Sequence, residues 1–496
     1  MREQAVRRCS VCSAVLSRYN ATERCGACSR SPQLPPADDL WSTAQAQQAL
    51  RGWDVGAALA LYRRHTGVTQ VRIAAAVGID QSEVSRLQRG EKKIRDRQQA
   101  LMWIRVLGVP DDLLPVMPAG QGRPDLSSTL WLPTLADTLS AVGEMTGADI
   151  NSRIGEAAEV DAAPLTDALI AWANVAPNGE SAHRDRPGRQ IGMADVQTLS
   201  IMSQAFADAD HRLGGGHARS TLAHYLNSVA IPLALHSSYT DHVGRQLLAE
   251  IARLSDVAGF MAFDAGHQLT GRHYLVHALR LAAAGGNPVL SAHILTDLAM
   301  QAIYVGQTSP AVDAAHAAIA AARRGNSPST LARCYAIAAR AAAAAGDAAA
   351  SDKHLNQAER VLDNRGHGEE PAWISFFSTR QLTVESMYAS EALGRSTYVQ
   401  RHADTAQLDH AAGDAMPRRD VLAKSTLALS YLTDERVDIE RACAVMTECI
   451  PLIGGLTSAR ALAAVKRTRQ RLADFSDSAS VKELEEAFAL SGQADV

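Results

Sequence analysis

The chain of 496 residues has no run of about 18 strongly apolar residues, the length a helix needs to cross a bilayer, so a membrane-spanning segment is not expected. Its most apolar segments, such as 318–325 and 338–347, are alanine-rich and interrupted by arginine. The opening MREQAVRRCSVC has basic residues with no apolar core behind them, so it reads as no secretory signal, and a cytoplasmic protein is expected. A Gly-x-Ser-x-Gly elbow, an HExxH pair and a paired-carboxylate site are all missing, which disfavours an enzyme. The glycines of LGGGH at 213–217 have no strand before them and no G-K-[ST] after them, so Gly214 to Gly216 read as a helix-ending linker. Aromatic residues are only 5% of the chain, which makes the grouping of Trp373, Phe376 and Phe377 conspicuous. These rings either fill the core between helices or anchor a ligand, and packing is the favoured reading. His267, His273 and His277 lie close together, yet no carboxylate or cysteine stands at ligand spacing, so a metal site there is disfavoured.

Cysteine is sparse except at the start. Four of the seven, Cys9, Cys12, Cys25 and Cys28, form two C-x-x-C knuckles separated by twelve residues. Each knuckle offers two thiolates at the spacing one tetrahedral ion needs, and the pair closes a four-sulfur shell with no open position. A structural zinc ion is therefore expected in segment 1–34, with a redox dithiol pair or a thiol-rich tail as the alternatives. Cys334, Cys443 and Cys449 lie in apolar helical contexts and are expected to be buried.

Residues 69–90, TQVRIAAAVGIDQSEVSRLQRG, read as two short helices joined by a tight turn. Thr69 is placed to cap the first, which would bury Ile73, Ala74 and Val77 at helical spacing. Gly78 supplies the left-handed turn, Ile79 packs inward, and Asp80 caps the second helix, Gln81 to Arg89. In that helix Val84 and Leu87 face the core, which leaves Gln81, Ser82, Ser85, Arg86 and Arg89 outside. Glutamine pairs bidentately with adenine and arginine with guanine, while hydroxyl and further cationic groups hold phosphates. Charge agrees, because residues 55–97 carry nine Lys and Arg, Lys92 and Lys93 among them, against four Asp and Glu, in a chain whose overall charge is −4. A basic head on an acidic body suits a protein that meets polyphosphate at one end. The plain alternative is a helical hairpin with a solvated face.

This pattern resembles the helix-turn-helix of the Xre and phage-repressor family. It is carried by Thr69, Gln70, Ala74, Gly78, Gln81, Ser82, Ser85, Arg86, Arg89 and Gly90, and covers roughly residues 55–115. The resemblance implies that Gln70 holds a phosphate and that Gln81, Ser82, Ser85 and Arg86 enter the major groove. One position departs from the family. Gln88 stands where Glu is common, so a charged pair with Arg63 becomes a hydrogen bond.

Four prolines and two glycines between 110 and 124 argue for a linker, and the polar 177–189 for an exposed loop or disordered insertion. Between them Leu130, Leu132, Leu135, Leu139 and Val142 are spaced for a helix that packs on the body or on a second subunit. Beyond about 192 amphipathic helical segments recur, with Gly266, Gly306 and Gly346 forty residues apart and Gly394 continuing the series. Ala311, Ala315 and Ala318 follow Gly306, Ala350, Leu355 and Ala358 follow Gly346, and Leu275 and Ala278 follow Gly266; small residues at these places are expected to let paired helices approach closely and stack into a solenoid with a concave face. The region resembles tetratricopeptide repeats, and the chain as a whole resembles the large helical Xre-type regulators of actinobacteria. That resemblance implies a transcription regulator whose repeats bind a small-molecule or peptide effector or mediate homodimerisation.

The expectation is an all-α protein: a zinc-binding segment at 1–34, a helix-turn-helix domain at 40–115, a linker and helical connector at 116–192, and a tetratricopeptide-like solenoid at 193–490. It would act on a double-stranded DNA operator in the cytoplasm, associated with the nucleoid. The DNA-contacting residues are expected to be Gln70, Gln81, Ser82, Ser85, Arg86, Arg89, Lys92 and Lys93. The alternative is a protein-interaction scaffold with an accessory DNA-binding head.

Overall fold

Several helix ends in the second half of the chain close with the same pair of backbone bonds. At Gly266, Gly306, Gly346 and Gly394 the glycine N–H reaches the carbonyl three residues back, and the next N–H reaches five back, at 2.8–3.1 Å. Each glycine has positive φ, from 68° to 94°, which a residue with a Cβ adopts only under strain. A Cβ added at Gly306, Gly346 or Gly394 would meet nothing within 4 Å. These glycines are therefore required by backbone conformation, while Ala278, Ala311, Ala315, Ala318 and Ala358 in the helices that follow are buried in the body's core; Gly259 and Gly271 also sit face to face, where a Cβ on Gly271 would lie 2.9 Å from the Gly259 carbonyl oxygen.

The structure is a computed structural model. It describes residues 34–51, 54–77, 80–92, 94, 103 and 106–109, and then 130–493 apart from 151–159, 176–181, 183, 186–188, 367–369, 407–415 and 434–435. The described residues are helical, with two isolated β-bridges and no strand. Backbone contacts divide the chain into two units, Met1–Gly122 and Arg123–Val496. Cys9, Cys12, Cys25, Cys28 and Lys93 lie outside the described residues, as do Gly78 and Ile79.

The first unit contains α1 (Asp38–Trp41), α2 (Ala44–Arg51), α3 (Val55–Thr66), α4 (Gln70–Val77) and α5 (Gln81–Gln88). Its core gathers Leu59, Tyr62, Ile73, Ala74, Val84 and Leu87. Trp41 stacks on Tyr62 with ring centroids 6.0 Å apart, and the Tyr62 hydroxyl donates to the Pro35 carbonyl at 2.6 Å.

The second unit begins with α6 (Leu135–Ile150), α7 (Ala163–Ala173), α8 (Met193–Leu213), α9 (Gly215–Tyr225) and α10 (Ile231–His236). Helix α6 starts only at Leu135, and its Leu139 and Val142 join the body's own core. Four antiparallel pairs follow: α11 (Asp241–Asp264) with α12 (Gln268–Ala284), α13 (Pro288–Tyr304) with α14 (Thr308–Ala322), α15 (Pro328–Ala344) with α16 (Ala348–Asp363), and α17 (Thr379–Ala392) with α18 (Ser396–Ala406). Asn287, Ser327, Asp347 and Ser378 cap the helices after them, and Pro288 and Pro328 occupy first turns, where no N–H is needed. The array ends in α19 (Pro417–Thr433), α20 (Ile439–Thr447), α21 (Ile450–Ile453), α22 (Ala459–Leu472) and α23 (Ala479–Leu490). Adjacent pairs stack through α11, α13, α15, α17 and α19, a repeat-like packing.

The far end of the array returns to its start. Arg418 on α19 bridges Asp210 on α8 and Asp264 on α11, Arg460 on α22 also bonds Asp264, and the Thr457 N–H donates to the Leu213 carbonyl at 3.0 Å. One expectation needs correction here. Gly214 ends α8, but Gly215 and Gly216 already form the first turn of α9 and are no linker; a Cβ on Gly215 would lie 2.2 Å from the Met261 carbonyl oxygen. Most of 177–189 lies outside the described residues; of the rest Asp185 and Arg189 are exposed, as expected of this segment, while Ala182 is buried, its N–H donating to Asp241 at 2.8 Å, and Arg184 bridges Tyr239.

Candidate nucleic-acid interface

Thr69 precedes α4, and its hydroxyl accepts from the Arg72 N–H at 3.4 Å, so one of the helix's orphan donors is satisfied as its sequence position suggests. Asp80 occupies the cap position of α5 in an extended conformation, but its side chain makes no capping bond. The cap assigned to Asp80 is thus positional only. Gly56 seats α5. It lies in the first turn of α3, and a Cβ there would stand 2.4 Å from the Leu87 carbonyl oxygen. Nothing local in the sequence marks Gly56 for this role, since its counterpart is 31 residues away.

The polar side chains around α5 form a directed chain. Arg63 Nη1 donates to Gln88 Oε1 at 2.7 Å, Gln70 Nε2 donates to the same oxygen at 2.5 Å, and Gln81 Nε2 donates to Gln70 Oε1 at 2.5 Å. A guanidinium only donates, so it fixes which end of Gln88 faces it, and that choice then fixes the amides of Gln70 and Gln81. Gln81 is left with its carbonyl oxygen and one N–H free, the pair a bidentate contact to adenine requires. Gln88 Nε2 reaches the Leu59 carbonyl at 3.5 Å, a bond that a glutamate at this position has no proton to make.

Gln81, Ser82 and Arg86 are exposed on one side of α5, opposite buried Val84 and Leu87, and Arg86 has no ion-pair partner among the described residues. Ser85 and Arg89 are already engaged. Arg89 Nη1 donates to Ser85 Oγ at 2.6 Å, and its Nε and Nη2 grip both oxygens of Glu91 at 2.6 and 3.0 Å. Lys92 pairs with Glu83. The hydrogen bond and charge of Lys92 hold the Glu83 carboxyl below its usual range, and Arg89 acts likewise on Glu91. The expected contacts therefore fall into two groups, an available Gln81, Ser82 and Arg86, and a tethered Ser85, Arg89 and Lys92.

Other marked residues lie in the body, buried or half-buried. His273 and His277 lie within α12 with ring centroids 5.9 Å apart, and burial together with the His273 charge pushes the His277 pKa down to about 3. Phe377 joins the core, whereas Trp373 lies against His293 at 4.6 Å and under the Arg253 guanidinium at 5.6 Å. Cys334, Cys443 and Cys449 are buried free thiols.

Residues 54–117 match the family model of a helix-turn-helix domain, which points to DNA binding. No curated protein and no solved structure matches the chain. Among the described residues no helix is long and apolar enough to cross a membrane.

Proposed function

We propose that this protein is a sequence-specific transcription regulator of the Xre type, binding a double-stranded operator as a homodimer. Its tetratricopeptide-like body senses a small molecule or peptide, carries the dimer contact, or does both. The observation that supports the reading is the exposed Gln81, Ser82 and Arg86 face, with Gln81 oriented through Gln70 and Gln88 by Arg63. Gln81 and Arg86 read base edges, while Gln70 uses its remaining N–H on a phosphate. A genome-wide footprint followed by gel shifts tests this. Gln81→Ala is expected to relax sequence preference and Gln70→Ala to weaken binding to all sequences, and a footprint without paired half-sites would refute the dimer.

Cys9, Cys12, Cys25 and Cys28 hold one structural zinc in this reading, the chain is not an enzyme, and it resides in the cytoplasm with the nucleoid. Metal analysis of purified protein is expected to find one zinc per chain, lost on Cys9→Ser with Cys12→Ser. A second reading, a protein-interaction scaffold with an accessory DNA-binding head, draws on the tethering of Arg89 and Lys92 to neighbouring acids. Retained function in cells after deletion of residues 55–115 would favour it.

A further inference from the structure

The helices α8, α11, α13, α15, α17, α19 and α22 enclose a cavity of about 530 Å³ inside the second unit. That lies within the ~300–1,000 Å³ typical of small-molecule sites. Phe260, Phe376, Met300 and Ile303 give it apolar surface, and seven arginines face five carboxylates around it. Most of these charges serve the fold. Arg418 and Arg460 are locked on Asp264, with Arg460 stacked 4.2 Å over the Phe263 ring. Arg333 is held by Asp297 and by His293 Nδ1 at 2.6 Å.

Arg340 and Arg253 keep donors in reserve away from the exposed Arg467. Arg340 gives only Nη1, to Glu385 at 2.9 Å, and lies 4.7 Å over the Tyr388 ring, which fixes its plane. Arg253 gives only Nη1, to Asp256 at 2.8 Å and toward His293. Nε and Nη2 of both are without partners among the described residues. Opposite in character, Asp256 Oδ1 is buried and receives no N–H or hydroxyl bond among the described residues, and burial raises the pKa of this carboxyl, which lies beside that of Asp297. An unpartnered acceptor in such a place costs free energy unless a donor arrives. Asp256, His293 and Asp297 also have the composition of a cation site, with ligand atoms within 4.8 Å of one another. Arg253 and Arg333 already stand against those two carboxylates, so the positive charge a metal would bring is in place.

We propose that this cavity binds an amphipathic organic anion. Its ring-bearing apolar body lies against Phe260 and Phe376, its acidic group takes the unused donors of Arg340 and Arg253, and a hydroxyl or N–H on it satisfies Asp256 Oδ1. A guanidinium donates to carboxylate, sulfonate and phosphate alike, and the unused N–H groups of Arg340 and Arg253 favour an anion over its neutral counterpart. This inference rests on the sensing role proposed for the body, but its test reads binding directly and not through DNA.

The probe is 1-anilinonaphthalene-8-sulfonate, titrated into the full chain and followed by fluorescence. Saturable binding of one probe per chain is expected, with the uncharged N-phenyl-1-naphthylamine about tenfold weaker. The double variant Arg340→Gln, Glu385→Gln leaves no unpaired charge behind; it is expected to weaken the sulfonate about tenfold and leave the neutral probe unchanged. Ala464→Trp, which fills the cavity from α22, is expected to remove both, and keeps the test decisive if the double variant does not fold. Competition by benzoate and by phenyl phosphate distinguishes the two natural acid classes. Absence of saturable binding, equal affinity for the neutral probe, or unchanged binding by a folded Ala464→Trp overturns the proposal. Binding that leaves operator affinity unmoved would instead overturn the sensing role and leave the cavity assignment standing.

Discussion

In the helix-turn-helix unit Arg86 stands exposed without an ion-pair partner among the described residues, whereas in the body Arg253, Arg333, Arg418 and Arg460 are buried and each lies against a carboxylate. The same side chain is used for two purposes. Surplus guanidinium at the surface is free to replace counterions on a polyphosphate, and its effect is set by salt. Guanidinium in the interior must be neutralised, and once neutralised it becomes rigid scaffolding whose planar face packs on Phe260, Phe263, Trp373 and Phe376. Burial alone would lower the Arg418 pKa, yet Asp210 and Asp264 more than offset this and hold it above its ordinary value. Burial would raise the Asp264 pKa, but Arg418, Arg460, the Gly215 N–H and the Ser458 hydroxyl bring it down to about 2.

The most forceful way to break this contrast is Asp264→Ala. It leaves two buried guanidiniums without their shared carboxylate and releases the closure of the array, so the body is expected to lose about 3–5 kcal/mol. Urea unfolding followed by helical circular dichroism checks it; a loss under about 1 kcal/mol would mean that water replaces the carboxylate and that the closure does not need it.

Acid probes the same interior. Burial, and then Arg418, lowers the His211 pKa to about 4, and His277 is lowered to about 3, so both are neutral in the folded body at neutral pH. The unfolded chain takes up these protons near pH 6.5, so stability is present above that value and is lost as pH falls toward the folded values. By pH 4 the loss is on the order of 3 kcal/mol per histidine. Thermal melts from pH 7 to 4 are expected to show the decline, with a shallower slope in His277→Gln.

Arg86→Ala sharpens the other side. It is expected to cost about 1–3 kcal/mol of operator binding and to reduce the salt dependence if Arg86 also neutralises a phosphate, with the body's unfolding unchanged. A gel shift across salt concentrations reads both quantities. Gly56→Ala acts on the same unit through packing: its Cβ meets the Leu87 carbonyl, and overpacking of this kind costs about 1–3 kcal/mol. An unchanged unfolding midpoint for this variant would mean that α5 shifts freely against α3.

What was legible in the sequence is what is decided locally. The burial of Ile73, Ala74, Val84 and Leu87, the Thr69 cap and the forty-residue glycine turns each depend on a few neighbouring residues, and the structure has them as their spacing suggests. The Arg63 to Gln88 bond was legible too, because the motif supplied both members. What was not legible depends on curvature accumulated over the array. Arg418 meets Asp210 across 208 positions, Gly216 meets Thr457, and Ala182 and Arg184 find Asp241 and Tyr239, none of which any local pattern announces. The cavity belongs to this second kind. Its arginines come from helices far apart in sequence and look, one by one, like ordinary surface charge.

Gln88→Glu is the smallest of the expected effects and isolates the polar chain of the reading head. A carboxylate still accepts from Arg63 and Gln70, so the orientation passed to Gln81 survives, and the Arg63 contact becomes charge-assisted. Against this gain, the Leu59 carbonyl loses the N–H it received at 3.5 Å, a bond already near its useful limit. The two changes oppose each other, so stability is expected to move by less than about 1 kcal/mol and the preferred operator sequence not at all. Gln88→Leu removes the acceptor altogether, frees the amides of Gln70 and Gln81 to rotate, and is expected to relax preference at the Gln81 base pair alone. Equal operator preference for the Glu and Leu variants would show that Gln81 orients itself without the chain, and that surplus charge alone separates the reading head from the body.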